Sequence, residues 1–101
     1  MHPDIEALVQ KLREAEKLLR AHHESRWADW LASDADRIHR LDFYGIGHLL
    51  SAFGGMGSLN DLVLQDQYGA VLHVSPTENE RFDVVRGEIY LLAQKLKSEE
   101  T

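Results

Sequence analysis

Histidine, serine, aspartate and a run of glycines are the residues of this chain whose types could do chemistry. Gly54-Gly55-Met56-Gly57-Ser58 has the composition of an anion-cradling loop, in which successive backbone N–H groups point at a phosphate or carboxylate ahead of a helix. With His48 shortly before it, such a loop would take a small molecule or anion through His48, Gly55, Gly57 and Ser58. Two features oppose this. The loop follows a segment of helical spacing and precedes a β-prone one, the reverse of a phosphate loop feeding a helix N-terminus, and it lacks the Lys-Ser/Thr pair of a P-loop. A turn that ends a helix accounts for it with fewer assumptions.

The six histidines raise the question of a metal. His39, Asp42 and His48 would converge if the chain turned between them, but their spacing is no known ligand pattern, no HExxH is present, and the adjacent His22 and His23 point in different directions on a helix. No metal and no cofactor is expected. Cysteine is absent, so there is neither a thiolate nucleophile nor a thiolate zinc site. The serines lack a G-x-S-x-G elbow, and Asp34 and Asp36 lie on different sides of their helix, which leaves no catalytic residue to nominate.

Charge points elsewhere. The formal net charge is −6 at pH 7, the wrong sign for a protein that binds nucleic acid by neutralising phosphates, and it favours a basic partner. Asp61, Asp66, Glu78 and Asp83 are the candidate contacts for such a partner. Asp61 also has a structural reading beside Asn60: a short side chain placed to hydrogen-bond the preceding glycine turn. Trp27 and Trp30 share one helical face and would fill a core or form a binding surface, core filling being the commoner use of bulky aromatics at that spacing.

The elements that must position these residues follow from periodicity. Ile5, Leu8, Val9, Leu12, Ala15 and Leu19 recur at helical steps and predict a helix from Pro3 to about His22. Trp27, Trp30, Leu31, Ile38 and Leu41 predict a second helix with Ser25 as its N-cap, Asp34 and Ala35 lying between them. A third runs from Phe43 to Phe53, capped by Asp42 and ended by Gly54-Gly55. Leu62-Val63-Leu64 and Val71-Leu72 with Val74, separated by Gln65 to Gly69, read as a β-hairpin. Ser75-Pro76-Thr77-Glu78 has the form of a capping box, so a last helix starts there with a core stripe of Phe82, Val85, Ile89, Leu92 and Leu96.

The fold class expected is therefore α+β: a single domain over residues 1–101, mainly helical, with three N-terminal helices, a short antiparallel hairpin and a long C-terminal helix. A two-stranded hairpin rarely stands alone, so its free edge suggests a homodimer. At 44% hydrophobic and 28% charged, the composition is that of an ordinary globular protein. No secretory signal or membrane span is visible, since even the uncharged stretch from Phe43 to Asn60 is broken by glycines, and with the lack of cysteine this reads as cytoplasmic.

The run Trp27-x-x-Trp30-Leu31, then Asp42-x-x-Gly45-Ile46, then Leu49-Leu50-Ser51-x-Phe53-Gly54-Gly55-Met56-Gly57-Ser58-Leu59-Asn60-Asp61-Leu62-Val63-Leu64, resembles a family of small bacterial proteins of unknown function. Phe53 to Leu64 is its specific portion. The resemblance implies a bacterial, cytosolic protein and brings over no catalytic residue. Size and acidity are also similar to those of immunity proteins, which block toxin domains by binding them. The expected function is a non-catalytic protein-binding module, immunity-like in character. The alternative, from another class, is a small-molecule or anion-binding protein, conceivably an enzyme, built on the Gly54–Ser58 turn and His48.

Overall fold

The computed structural model describes residues 2–54, 57–65 and 76–99. Ile5, Leu8, Leu12, Ala15 and Leu19 line the buried face of α1 (Pro3–Ala21), as their spacing predicts. Pro3 occupies the first turn, and the His2 ring accepts the Asp4 N–H through Nδ1 at 3.0 Å, satisfying one of the amides a helix start leaves open. The buried face of α2 (Ser25–His39) is Ala28, Leu31, Asp34, Ala35 and Ile38. Ser25 does not cap it: the helix begins at Ser25 itself, after Glu24 and without a side-chain cap.

Both helices end in the same way. Glu24 N–H donates to the Leu19 carbonyl at 2.9 Å with His23 at φ 64°, and Asp42 N–H donates to the Arg37 carbonyl at 2.8 Å with Leu41 at φ 63°. These are Schellman closures whose left-handed position is filled by His23 and Leu41, where glycine is the usual occupant. The second closure delivers Asp42, whose carboxylate accepts the Tyr44 N–H at 3.2 Å at the start of α3 (Tyr44–Leu50). The helix expected over Phe43 to Phe53 is α-helical only to Leu50 and tightens to a 3₁₀ turn over Ser51–Phe53 before extending at Gly54.

α1 packs on α2 and on the long α4 (Pro76–Glu99), and α3 packs on α2 and α4. Their shared core takes Phe82, Val85, Ile89, Ala93 and Leu96 from α4, Ile46 and Leu49 from α3, and Ala52, Leu59 and Leu64 from the segment after α3. Trp27 and Trp30 pack half-buried against this core, with their ring centroids 5.3 Å apart.

The described residues form an all-α fold, which overturns the α+β expectation. The described residues contain no strand. Leu62-Val63-Leu64, expected as the first arm of a hairpin, follows a 3₁₀ turn over Leu59–Asp61 and is extended, but among the described residues it pairs with no strand. Side chains of α4 hold it instead. Leu64 N–H donates to Asn79 Oδ1 at 2.9 Å, and Arg86 Nη1 donates to the carbonyls of Leu59 and Leu62 at 2.9 and 2.7 Å. The run is a strap fastened to a helix, and the strand edge on which a homodimer was expected is not formed by it. The second arm, Val71, Leu72 and Val74, and the capping serine Ser75 lie outside the described residues.

Candidate functional site

Asp34 is fully buried on the apolar face of α2, among Leu31, Ala35 and Ile38. A lone carboxylate there is costly, and α3 supplies its partner: His48 Nδ1 lies 2.6 Å from Asp34 Oδ1. Gly45 makes the approach possible. A Cβ at Gly45 would stand 3.0 Å from Arg37 Cβ and 3.3 Å from the Asp34 carbonyl, so glycine lets α3 cross α2 this closely, one turn before His48, without either helix giving way.

The His48 ring is fixed from a second side by Trp30, stacked on it at 4.3 Å between centroids and 16° between planes. Burial raises the Asp34 pKa, opposed first by the hydrogen bond and charge of His48, then by Arg37 and by the Trp30 indole. Asp34 Oδ2 and Trp30 Nε1 are both buried and short of full hydrogen-bond geometry, and the indole N–H is the donor that faces the carboxylate. With Nδ1 committed to Asp34, Nε2 is the ring nitrogen left for other work, and the His48 side chain is 38% exposed. It lines an open cleft of about 400 Å³ with Phe43, Tyr44, Gly47, Ser51 and Lys97. Lys97 Nζ lies over Gly47, 3.9 Å from where a Cβ would be.

The glycine turn is not part of this site. Gly57 and Ser58 line a different cavity, of about 290 Å³, with Glu24, Asp61, Leu62, Val63 and Gln65. Gly57, at φ 79°, donates its N–H to Asp61 Oδ2 at 3.2 Å, so the amide that would have cradled an anion faces a carboxylate. The expected combination of His48 with Gly57 and Ser58 is thus not assembled, and Gly55 lies outside the described residues. Asp61 holds the turn in the way its short side chain leads one to expect.

The acidic candidates divide. Glu78 is 2.5 Å from His22 Nε2. Asp83 is paired with Arg86 on its own helix. Asp66 lies outside the described residues. Asp61 is exposed and has no ion-pair partner among the described residues; Glu24, half-buried and not among the candidates drawn from the sequence, has none among them either. The two share a cavity although a whole helix and more of chain separates them, which no local pattern could have signalled.

His39 and Asp42 do not join His48 in a metal-binding group. The described residues do bring His2, Asp4 and Glu99 together, with ligand atoms within 4.8 Å of one another. That set is already occupied: His2 Nδ1 accepts the Asp4 amide, which in a neutral ring places the proton on Nε2, and Asp4 pairs with Lys95 at 2.7 Å. It is a helix cap with ion pairs, in the wrong tautomer for a ligand.

Fold and site define a small helical protein with one cleft beside the Asp34–His48 pair and another lined by Glu24 and Asp61. The chain belongs to the family of a domain of unknown function, DUF6966, whose model matches residues 20–73, from the last turn of α1 through both tryptophans, the Asp34–His48 pair and the glycine turn. No curated protein and no solved structure matches it. Among the described residues, no helix is long and apolar enough to cross a membrane.

Proposed function

We propose that this chain is a non-catalytic binding module whose protein partner presents a basic side chain to the Glu24–Asp61 cleft. One observation carries the reading. Glu14, Glu16, Asp29, Asp36, Asp83 and Glu88 each have an Arg or Lys beside them, whereas Glu24 and Asp61 face one cavity with none among the described residues. A guanidinium or ammonium entering that cavity meets both carboxylates. The half-exposed Val63 borders the same cavity and offers apolar contact beside the charges. A net charge of −6 steers a basic partner towards it. An immunity-like role, in which the module occupies the basic working surface of a toxin domain, is the form of this reading that size and acidity suit best.

The test compares the wild-type chain with a Glu24→Gln/Asp61→Asn variant, in which the amide oxygen introduced at position 61 keeps the acceptor that Gly57 needs. Both are immobilised in the same host lysate at low and moderate salt, and bound proteins are identified by mass spectrometry. A stoichiometric basic protein held by wild type at low salt and lost from the variant is the expected result. Equal capture by both, or none by wild type, overturns the reading.

A further inference from the structure

The strap that α4 holds has two edges, and among the described residues only one of them is bonded. In an extended backbone the N–H and C=O groups of successive residues point to opposite sides. Leu62 and Leu64 turn theirs towards α4. Arg86 takes the Leu62 carbonyl at 2.7 Å, and Asn79 meets Leu64 twice, accepting its N–H at 2.9 Å and standing with Nδ2 3.5 Å from its carbonyl. Val63, between them, faces the other way. Its N–H and C=O bond to nothing among the described residues, and the residue is 47% exposed. An open edge of this kind is a template for a further strand.

The cavity beside that edge favours a particular strand. Glu24 and Asp61 line it together with Ser58, Val63 and Gln65, so the two carboxylates and the unpaired main chain border one space. Ser58 is only 9% exposed, and its Oγ is buried without a hydrogen-bond partner among the described residues, which leaves the wall short of a polar occupant. A residue placed opposite Val63 in an added strand sends its side chain to Val63's own face, about 5 Å away, where an Arg or Lys enters the cavity of Glu24 and Asp61. Building on the basic-partner reading above, we propose that the partner delivers its cation from an extended segment that pairs, main chain to main chain, with Val63.

The probe is a blocked peptide, acetyl-Thr-Val-Arg-Val-Thr-amide, titrated into the isotope-labelled full chain and followed by backbone amide signals in NMR. Its twin carries a methyl on the central amide nitrogen, which keeps the charge and deletes one main-chain donor. Saturable binding of the parent that shifts the Val63 amide and slows its exchange is expected, with the twin about tenfold weaker, the worth of one main-chain hydrogen bond. Val63→Pro removes the outward N–H and weakens the parent by a similar factor. Leu62, at φ −70° and ψ 132°, already has the conformation that precedes a proline, and should the variant fail to fold, the methylated twin alone decides. Glu24→Gln/Asp61→Asn weakens both peptides. Equal affinity of the two peptides overturns strand pairing, and the basic-partner reading survives it if the charge variant still weakens both. Peptide binding that the charge variant leaves unchanged overturns that reading and this inference with it. A Val63 amide already protected from exchange in the free chain, or no saturable binding at millimolar peptide, overturns strand pairing as well.

Discussion

Asp34 and His48, 14 residues apart in the chain, meet at 2.6 Å between α2 and α3. Removing the histidine strands a buried carboxylate, so His48→Gln is expected to destabilise the fold by about 3 kcal/mol, whereas the double variant with Asp34→Asn recovers part of that loss. Urea denaturation of both singles and the double measures the coupling, and additive effects would mean that the pair contributes nothing.

The same carboxylate gives a pH dependence whose sign is fixed. Burial raises the Asp34 pKa above 3.8, so in the window between that value and the raised one the folded state binds more protons than the unfolded state. Stability contributed by Asp34 is therefore present below that window and lost as pH rises through it. Midpoints of wild type relative to Asp34→Asn, measured at intervals across mildly acidic pH, should fall with rising pH. A difference that stays flat or grows would contradict the raised pKa.

Gly45 and Gly87 are both helical glycines and should respond oppositely to alanine. The new Cβ at Gly45 meets Arg37 Cβ at 3.0 Å and Ile38 Cγ1 at 3.3 Å, so Gly45→Ala pushes α3 off α2 at a cost of about 1–3 kcal/mol. Nothing lies within 4 Å of a Cβ at Gly87, which is exposed on α4, and Gly87→Ala should stabilise by roughly 0.5–1 kcal/mol. Thermal melts of the two variants check the pair. A neutral Gly45→Ala would mean that the helices have room to spare.

Local pattern made the helices legible and little else. The stripe of α1 was readable because Ile5, Leu8, Leu12, Ala15 and Leu19 sit on consecutive turns of one element. The stripe of α2 was partly misassigned: Ala28 and Ala35 are buried while Trp27 and Trp30 flank the core, since bulk in a sequence does not say which residue faces inward. Asp34 did leave a signal, a carboxylate in register with Leu31 and Ile38 on an apolar face, which ought to prompt a search for a partner. His48 could not be assigned to it, because that depends on how α3 crosses α2. The strand reading of Leu62 to Leu64 failed for a related reason. Leu64 is buried and Val63 exposed, an alternation that fits a strand, but what an extended segment bonds to is decided by residues far along the chain.

Leu41 carries a stability cost visible only in the backbone. It sits at φ 63° in the Schellman closure of α2, with its side chain 57% exposed. A side chain in the left-handed region costs roughly 1–2 kcal/mol, and glycine avoids that at the price of a more flexible unfolded chain. Leu41→Gly should therefore raise stability by about 0.5–1 kcal/mol while leaving the Asp42 contact to Tyr44 in place. Chemical denaturation reads the gain, and a loss would show that Leu41 makes contacts worth more than its strain.

Arg86 and Asn79 replace the strand partner that the Leu59–Leu64 strap lacks. Arg86 donates to two carbonyls of the strap, stacks on Phe82 at 4.8 Å and has a side chain only 12% exposed, so its deletion takes the side-chain donor from the part-buried Leu62 carbonyl, while the Leu59 carbonyl keeps the Leu62 N–H. Arg86→Met, which keeps most of the stem, is expected to cost about 2 kcal/mol. Asn79→Ala removes the acceptor of the Leu64 N–H and should release that amide to exchange even if global stability holds. Hydrogen exchange at residues 59–65 distinguishes the two effects. Protection lost over the strap while α1 and α2 keep theirs would establish it as a unit that opens separately, with Asp61 and Val63 displayed by α4. Uniform loss across all helices would mean instead that the strap is one piece with the core, and that the Glu24–Asp61 cleft is as rigid as the bundle beneath it.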